Sequence, residues 1–260
     1  MQAFTYATPS TLIDAVRAAG MADAKLIAGG QTLLQTMKLG LAAPAALVDL
    51  SGLAELKSIT VSSGKVTIGA GTTHAAVAAS RDVQAAIPAL AELAGRIGDR
   101  AVRNRGTLGG SLANNDPAAC YPAAVLGLGA TVHTDRRTIA ADHFFSGPYG
   151  TALAEDEVIT AVSFPIPVKA GWQKFVQPAS RFSLIGVFVS QGPAGVRVAV
   201  TGGGSGVFRA TSLEALLANS WAAAALAGAT IPTEGLNSDL HGSAEYRAAL
   251  IPVLAGRAVG

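Results

Sequence analysis

The sequence predicts an α+β fold, in which strands and helices are grouped along the chain. Residues 25–50 show a strand, a helix and a second strand in succession. Residues 59–68 alternate apolar and polar side chains with period two, and three strand patterns between 172 and 201 precede two helical patterns. Runs of strands followed by runs of helices are typical of α+β proteins. We therefore expect a small α/β unit, a hairpin-rich region and a C-terminal sheet covered by helices on one face.

The first unit shows clear start and stop signals. Thr11 and Asp14 have the spacing of a capping box, an apolar helical face follows, and Gly20 ends it. The predicted elements are a helix over 11–20, a strand over 25–28, a helix over 32–39 and a strand over 45–50. The two strands and the helix between them form a small α/β unit around a glycine turn.

From Ile59 onward the apolar period becomes that of a strand. Residues 59–61 and 66–68 alternate about a Ser-Ser-Gly turn, which predicts a hairpin. The other elements predicted here are a short alanine-rich helix after residue 74 capped by Thr72 or Thr73, a helix over 88–98, a hairpin over 130–141 and a strand over 157–164.

The break Pro165-Ile166-Pro167 predicts a domain boundary. Residues 1–165 then form one domain, with subdomains of about 1–56 and 57–165, and residues 166–260 form a second. The elements expected in the second domain are strands at 172–177, 184–190 and 195–201 and capped helices from Thr211/Glu214 and from Ser243. Pro252 lies inside the last helical pattern and should kink or shorten that helix.

The composition excludes several classes of protein. Half of the 260 residues are apolar, 14% are charged and the mean hydropathy is +0.41, which suggests a chain that buries surface against a partner. No apolar run reaches the roughly 18–20 residues of a membrane span, and no signal peptide is expected. A net charge of +2 predicts no affinity for nucleic acid. The single cysteine and four scattered histidines predict a cytoplasmic protein without a disulfide or a metal site.

Two glycine-rich stretches predict a site for a phosphate-bearing ligand. Residues 26–39 read LIAGGQTLLQTMKL, a strand followed by a glycine turn and a helix start, which is a geometry that binds pyrophosphate. The stretch matches neither GxGxxG nor GxxxxGK[ST], so neither a Rossmann domain nor a P-loop is expected.

The second stretch, residues 97–125, reads IGDRAVRNRGTLGGSLANNDPAACYPAAV. We expect its glycines to adopt positive φ and turn consecutive N–H groups outward as an anion nest. The neutral polar side chains that suit phosphate and ribityl oxygens are Thr107, Ser111, Asn114 and Asn115.

Three features near these stretches allow more than one interpretation. The arginines at 96, 100, 103 and 105 could form a solvated basic edge, contact phosphate, or face an acidic partner. His74 could touch a ligand or only cap and pack. Cys120 is not expected to be a nucleophile, because no histidine lies near it in the sequence.

Both stretches, together with IGAGTTH at 68–74 and VRVAVTGGGSGVFRAT at 196–211, resemble the FAD-binding medium subunit of molybdenum hydroxylases, the family of carbon monoxide and xanthine dehydrogenases. The resemblance runs from about Phe4 to Ala258 in the same order. It implies a two-subdomain FAD-binding domain of the PCMH type, followed by a smaller α+β domain.

The resemblance also implies a set of FAD contacts. The first glycine loop would hold the pyrophosphate with Ala28, Gly29, Gly30, Gln31, Thr32 and Leu33, and the second cradle would consist of Thr107, Leu108, Gly109, Gly110 and Ser111. Asn114 would reach the ribityl–phosphate region, Ile97 would lie near the isoalloxazine face, and Ile159 would meet the ring through its backbone.

The chain departs from the family at Cys120. Many members read DPAAD where this chain reads DPAAC, and a thiol is a weaker hydrogen-bonding group than the carboxylate that bonds the flavin's polar chain. Asp116 either contacts the ligand or caps the following turn. The turn at 179–182 reads ASRF in place of ASRD, which leaves its role toward a ligand open.

The implied function is electron transfer through FAD to a quinone, oxygen, a nicotinamide nucleotide or another acceptor. The implied partners are a large subunit with a molybdenum cofactor and a small subunit with two iron–sulfur clusters of the two-iron two-sulfur type, arranged as a dimer of heterotrimers. Association with a membrane would arise only through the acceptor. Two other hypotheses are a self-sufficient FAD-dependent oxidoreductase and a flavin-free assembly protein.

Overall fold

A computed structural model describes residues 2–260 and shows the predicted α+β fold. The strands are β1 (Thr5–Ala7), β2 (Ala24–Ile27), β3 (Ala46–Asp49), β4 (Ile59–Ser62), β5 (Lys65–Gly69), β6 (Thr131–Thr134), β7 (Thr138–Ala140), β8 (Phe145–Gly147), β9 (Gly150–Thr151), β10 (Ile159–Pro165), β11 (Lys169–Val176), β12 (Ser183–Gly192), β13 (Gly195–Thr201) and β14 (Phe208–Arg209). The helices are α1 (Leu12–Ala19), α2 (Leu33–Lys38), α3 (His74–Ala79), α4 (Arg81–Ala86), α5 (Pro88–Gly95), α6 (Arg100–Arg105), α7 (Leu108–Asn114), α8 (Tyr121–Gly127), α9 (Thr211–Asn219) and α10 (Ala244–Val259).

The first unit is a parallel three-stranded sheet in the order β1-β3-β2. The helix cap predicted at Thr11 is confirmed, since its side chain accepts a hydrogen bond from the Asp14 N–H at 3.2 Å. The helices and strands predicted over 11–50 all form; β2 is shifted by one residue and the other three are slightly shorter than predicted. The edge strand β1 was not predicted, because an alternation of apolar and polar residues cannot be recognised over only three residues.

The second unit is an antiparallel five-stranded sheet in the order β4-β5-β10-β6-β7 with helices α3 to α8. Both predicted hairpins form, and Thr73 is the cap of α3. Helices α4 and α6 were not predicted, although Ser80 and Asp99 cap them by accepting from N–H groups three residues later. The helix predicted over 88–98 ends at Gly95, and Gly98 has a φ of +49°.

The C-terminal sheet is antiparallel in the order β11-β12-β13-β14, and strand β12 is buried on both of its faces. Ile185, Val187 and Val189 belong to the core that includes α9 and α10. Phe188, with the opposite orientation, belongs to the core of the second unit. This alternation is the period-two pattern of a strand that packs against helices on both sides.

Helix α8 connects the second unit to this sheet. Its residues are all buried, and it contacts β12 and β13. Two polar side chains of the sheet satisfy carbonyl groups at its C-terminal end: Arg197 Nε donates to Leu126 O at 2.8 Å, and Ser190 Oγ donates to Gly127 O at 2.6 Å. The chain leaves one sheet at Pro165 and enters the next at Lys169, whereas the apolar core continues across this step. The division into domains therefore stays a prediction.

Two expectations for the C-terminal helices are wrong. Helix α9 has Ala210 as its N-cap without a side-chain bond, because Glu214 accepts from Arg209 at 2.6 Å and from Val198 N at 2.9 Å instead of closing a capping box. Helix α10 continues through Pro252, so the expected shortening is wrong, whereas the alternative of a kink stays a prediction. Its packing against β11, β12 and the 223–226 turn outweighs the one backbone hydrogen bond that proline removes.

Across residues 2–260, no helix is both long enough and apolar enough to traverse a bilayer.

Glu157 is a buried carboxylate that ties the β6–β7 hairpin to the segment before β10. Its two oxygens accept from Arg137 Nε and Nη2, both at 2.9 Å, and also from Ala154 N and Thr134 Oγ1. The hydrogen bond from Arg137 is the main reason that the pKa of Glu157 is lowered to about 2. Because this pKa lies below that of the unfolded chain, the interaction stabilises the fold fully above about pH 4.5, and the stabilisation is lost as the pH falls towards 2.

We predict that Glu157→Gln lowers the free energy of unfolding by about 2 kcal/mol at pH 7, a figure reduced for the solvent exposure of Arg137. The difference from wild type should shrink to less than half of that value near pH 2.5, because wild-type Glu157 is then losing its charge. Urea unfolding at both pH values measures the effect, with the exposed neighbour Glu155→Gln as the control. A difference that is equal at both pH values would contradict the assignment.

Candidate functional site

A cavity of about 610 Å³ lies where the first unit, the second unit and the C-terminal sheet meet. The first glycine loop forms one part of its wall, and the start of α7 forms another. Strand β11 and the 180–182 turn contribute the C-terminal part. The cavity therefore draws on segments that are far apart in the sequence.

The first glycine loop lines this cavity with unengaged donors. The backbone N–H groups of Gly29, Gly30, Gln31 and Thr32 have no hydrogen-bond acceptor among residues 2–260. Gly30 has a φ of +69°, a conformation that glycine adopts without strain. Consecutive free N–H groups ahead of a helix suit an anionic ligand. All six residues predicted here, 28–33, line the cavity.

The two glycine-rich stretches touch each other through their backbones. A Cβ atom added to Gly29 would lie 2.2 Å from Arg105 O and 2.7 Å from the Cα of Gly106. A Cβ added to Gly106 would in turn lie 2.5 Å from His74 Nε2. Both glycines are required for this close approach, which closes one side of the cavity.

The expected anion nest at the second stretch is wrong. Gly109 and Gly110 lie in the first turn of α7 without positive φ, and Thr107 Oγ1 caps that turn by accepting from Gly110 N at 3.1 Å. The Gly109 N–H donates to Ala70 O at 2.8 Å. The structural reason for Gly109 is space, since an added Cβ would lie 2.6 Å from the Cβ of Ala70. This segment therefore offers a close-packed surface and not a row of free N–H groups.

The structure separates the remaining predicted residues of this stretch. Thr107, Gly109, Gly110, Ser111 and Asn114 line the cavity. Leu108 does not, because its side chain is buried in the core and its N–H donates to Thr72 O at 3.0 Å.

Asn115, expected to contact the ligand, is also outside the cavity wall. It ends α7 with a φ of +42°, and its Nδ2 donates to the carbonyls of Gly147 and Gly150. Its role in the structure is to hold the 147–150 segment.

The wall near Ile97 is held by two of the four arginines. Arg103 donates to the carbonyls of Ile97 and Gly98, both at 3.0 Å. Arg96 pairs with Glu92 and donates to Lys174 O at 3.2 Å. These two arginines are therefore structural, whereas Arg100 and Arg105 are exposed.

Cys120 lies in the cavity wall beside a buried lysine. Lys174 Nζ is 3.4 Å from Cys120 Sγ and donates to Arg96 O at 3.1 Å. Ser183 Oγ lies 3.6 Å from the same sulfur. The cationic side chain of Lys174 is thus placed at the cavity by strand β11, although only 6% of the residue is exposed.

The other predicted residues also reach the cavity. Asp116 caps the next turn, since its Oδ1 accepts from Ala118 N at 2.8 Å, and it lines the cavity as well. Ile159 lines it at the start of β10. Arg181 and Phe182 of the ASRF turn lie in the same wall.

His74 lines the cavity as a neutral side chain. Burial, assisted by the nearby charge of Arg103, lowers the pKa of His74 to about 4. Its Nδ1 is buried and has no partner among residues 2–260, and its ring packs 5.3 Å from that of Tyr121. It is therefore a packing residue in this structure that also borders the cavity.

Lys174 is the residue that sequence reasoning missed. The sequence signal was present, because Trp172 and Lys174 share the inward face of β11 while Phe175 is exposed. A lysine in the register of a buried tryptophan is an unusual position for a charge. The position of the Lys174 side chain at the cavity depends on the packing of the C-terminal sheet against α5, which no local sequence pattern predicts.

These features define a class of protein: a two-part α+β nucleotide-cofactor binder with an added C-terminal sheet. A family described as the FAD binding domain in molybdopterin dehydrogenase matches residues 2–167. The nicotine 6-hydroxylase medium subunit of Paenarthrobacter nicotinovorans is 36% identical over 100% of this chain and 97% of its own length. The carbon monoxide dehydrogenase medium chain of Hydrogenophaga pseudoflava is 35% identical over 98% of this chain and 96% of its own.

Solved structures agree with this assignment. Carbon monoxide dehydrogenase from Hydrogenophaga pseudoflava matches with a TM-score of 0.87 at 33% identity, covering 99% of this chain and 96% of that chain. Quinoline 2-oxidoreductase from Pseudomonas putida 86 matches with a TM-score of 0.89 at 32% identity and the same coverage. The chain belongs to the FAD-binding medium subunits of the molybdenum hydroxylase family. Its N-terminal part is an FAD-binding domain.

The residues of the cavity fit FAD. Four free N–H groups at 29–32 match the acceptor oxygens of a diphosphate. Ser111 and Asn114 supply neutral polar groups, and Ile97 and Leu153 supply apolar surface for a ring. A cofactor site that is mostly apolar with a few placed polar groups has this composition.

We predict that Gly29→Ala lowers the free energy of unfolding by about 2 kcal/mol, because its Cβ would overlap a backbone carbonyl that cannot rotate away. FAD retained after purification should fall at least tenfold, since the loop carrying the free N–H groups must move. Urea unfolding and the flavin-to-protein ratio measure the two effects.

Gly52→Ala is the matched control, because its added Cβ meets nothing within 4 Å and its φ is not positive. A Gly29→Ala protein with wild-type stability and a full complement of FAD would show that the contact with Arg105 is not a constraint.

Proposed function

We propose that this chain is the FAD-carrying electron-transfer subunit of a molybdenum-containing hydroxylase or dehydrogenase. The observation that carries the proposal is the cavity whose first glycine loop offers four free N–H donors. Bound FAD would supply reversible redox chemistry, with electrons arriving from iron–sulfur clusters of a partner subunit and leaving to an external acceptor. The chain itself would bind the cofactor, orient it and set its electrostatic surroundings.

Each part of the wall has a separate role in this proposal. The N–H groups of residues 29–32 would hold the diphosphate, and Ser111 and Asn114 would bond the ribityl–phosphate region. Ile97 would pack against the isoalloxazine ring, and the backbone at Ile159 would contact it. Arg103 holds the backbone in place here by donating to the carbonyl groups of Ile97 and Gly98.

The composition of the chain supports a division of labour among subunits. Iron–sulfur clusters are held by several cysteine thiolates, and this chain has one cysteine. Within residues 2–260, no three His, Cys, Asp or Glu side chains are grouped to hold a metal ion. We assign the clusters and the molybdenum cofactor of the proposed complex to a small and a large partner subunit, and we propose a dimer of heterotrimers.

Exposed apolar side chains support the existence of partners. Leu39 and Leu41, which follow α2, are 74% and 75% exposed, and Ile13 on α1 is 72% exposed. All three lie on the first unit, which also carries the first glycine loop. A partner that covered this unit would bury these side chains, which is favourable for apolar surface.

We predict that the chain purified from its native host contains one FAD and is accompanied by a larger and a smaller subunit that carry molybdenum and iron. Substrate should drive reduction of an external acceptor only in this complex, because the proposal places the oxidation step on the molybdenum cofactor of the large subunit. The measurement combines flavin and metal content, subunit masses and acceptor reduction by the complex and by the isolated chain.

The complex prepared with Gly29→Ala is the control, since it should assemble without FAD and lose transfer to the acceptor. Turnover of a substrate by the isolated flavinated chain would overturn the proposal in favour of a self-sufficient oxidoreductase. A chain isolated without any FAD would favour an assembly protein.

A further inference from the structure

Lys174 carries a charge that the protein leaves unbalanced. Its Nζ is in contact with a backbone carbonyl and a thiol, and it forms no ion pair with any carboxylate among residues 2–260. Burying an ammonium group without a counter-charge is unfavourable. A buried charge that the fold does not neutralise is expected where a ligand supplies the balance.

The nearby charges do not neutralise it. Arg96 lies against Lys174 through reciprocal contacts, because each side chain donates to the other residue's carbonyl, and the guanidinium of Arg96 is paired with Glu92. Arg181 adds a further positive group to the same wall.

The carboxylates that border the cavity are engaged elsewhere. Glu157 is held by Arg137, and Asp116, whose Oδ1 accepts from Ala118 N, forms no ion pair with Lys174. Lys174 therefore has no carboxylate partner in the cavity wall.

We propose that Lys174 supplies the counter-charge for the reduced flavin ring, and that a thiol in place of a carboxylate at residue 120 keeps this positive charge available and so raises the midpoint potential of the bound FAD. The proposal rests on the proposed function, since it requires FAD in this cavity with its ring towards Ile97. Reduced flavin carries negative charge at neutral pH, whereas oxidised flavin is neutral. A cation at the ring therefore stabilises the reduced form more than the oxidised form.

Cys120 decides the size of this effect because of its position. A carboxylate at residue 120 would stand beside Lys174 Nζ, where the thiol sulfur is 3.4 Å away, and would form an ion pair with it. A cavity filled by the cofactor contains little water, which strengthens the attraction between Lys174 and the reduced ring and also an ion pair between Lys174 and a carboxylate at residue 120. Exchanging this one side chain thus changes the net charge of the pair that residue 120 forms with Lys174.

The test is the midpoint potential of bound FAD, measured by equilibration with reference dyes, in the full-length wild-type chain and its variants. We expect Cys120→Asp to lower the ratio of reduced to oxidised FAD at a fixed potential at least tenfold, about 30 mV for a two-electron couple. Cys120→Asn, which matches the shape of aspartate without its charge, should remain much closer to wild type. Lys174→Gln should shift the potential in the same direction as Cys120→Asp.

The flavin-to-protein ratio, measured first, separates this proposal from the previous one. A wild-type chain that holds no FAD would refute the proposed function. With FAD bound, equal potentials for Cys120→Asp and Cys120→Asn would overturn the role of charge at residue 120. If Lys174→Gln does not fold, the comparison of Cys120→Asp with Cys120→Asn decides alone. If neither Cys120 variant folds, Lys174→Gln decides, and an unchanged potential in that variant would overturn the proposal.

Discussion

The backbone contact between Gly29 and Arg105–Gly106 is the constraint on which the cavity depends. It brings a loop of the parallel sheet directly against the segment that leads into α7, and no side chain larger than hydrogen fits at Gly29. The same segment is fixed from the other side by His74, which lies beside Gly106. The donors of the first loop are thereby held rigidly next to the wall that carries Ser111 and Asn114, so that the donor geometry is formed before any ligand arrives.

Local sequence signals predicted most of the elements and the first glycine loop. The cap at Thr11, the two hairpins and the start of α10 at Ser243 depend on hydrogen bonds within a few residues, and the structure shows them as predicted. The second stretch was predicted less well, because glycine has a low helix propensity and Gly109-Gly110 suggested a turn. Its helix is stabilised by the Thr107 cap and by contact with Ala70, which is a tertiary interaction.

The C-terminal contribution to the cavity could not be predicted, for a topological reason. Lys174 and Cys120 are 54 residues apart and meet only because β11 packs beside α5. A break such as Pro165-Ile166-Pro167 suggests independent domains, yet Phe164 before it and Trp172 after it share one core. A site built across such a junction is visible in the sequence only as an isolated charge at an inward position of a strand.

The two kinds of polar group in the cavity act on different properties of the cofactor. The N–H groups at 29–32 would face a diphosphate whose charge is the same in oxidised and reduced FAD, so they contribute to affinity and leave the redox equilibrium unchanged. Only a group near the ring interacts differently with the two oxidation states, and an equilibrium shifts only by that difference. Under the proposed function, the backbone loop would therefore set how tightly the cofactor is held, whereas the pair at residues 120 and 174 would set its potential.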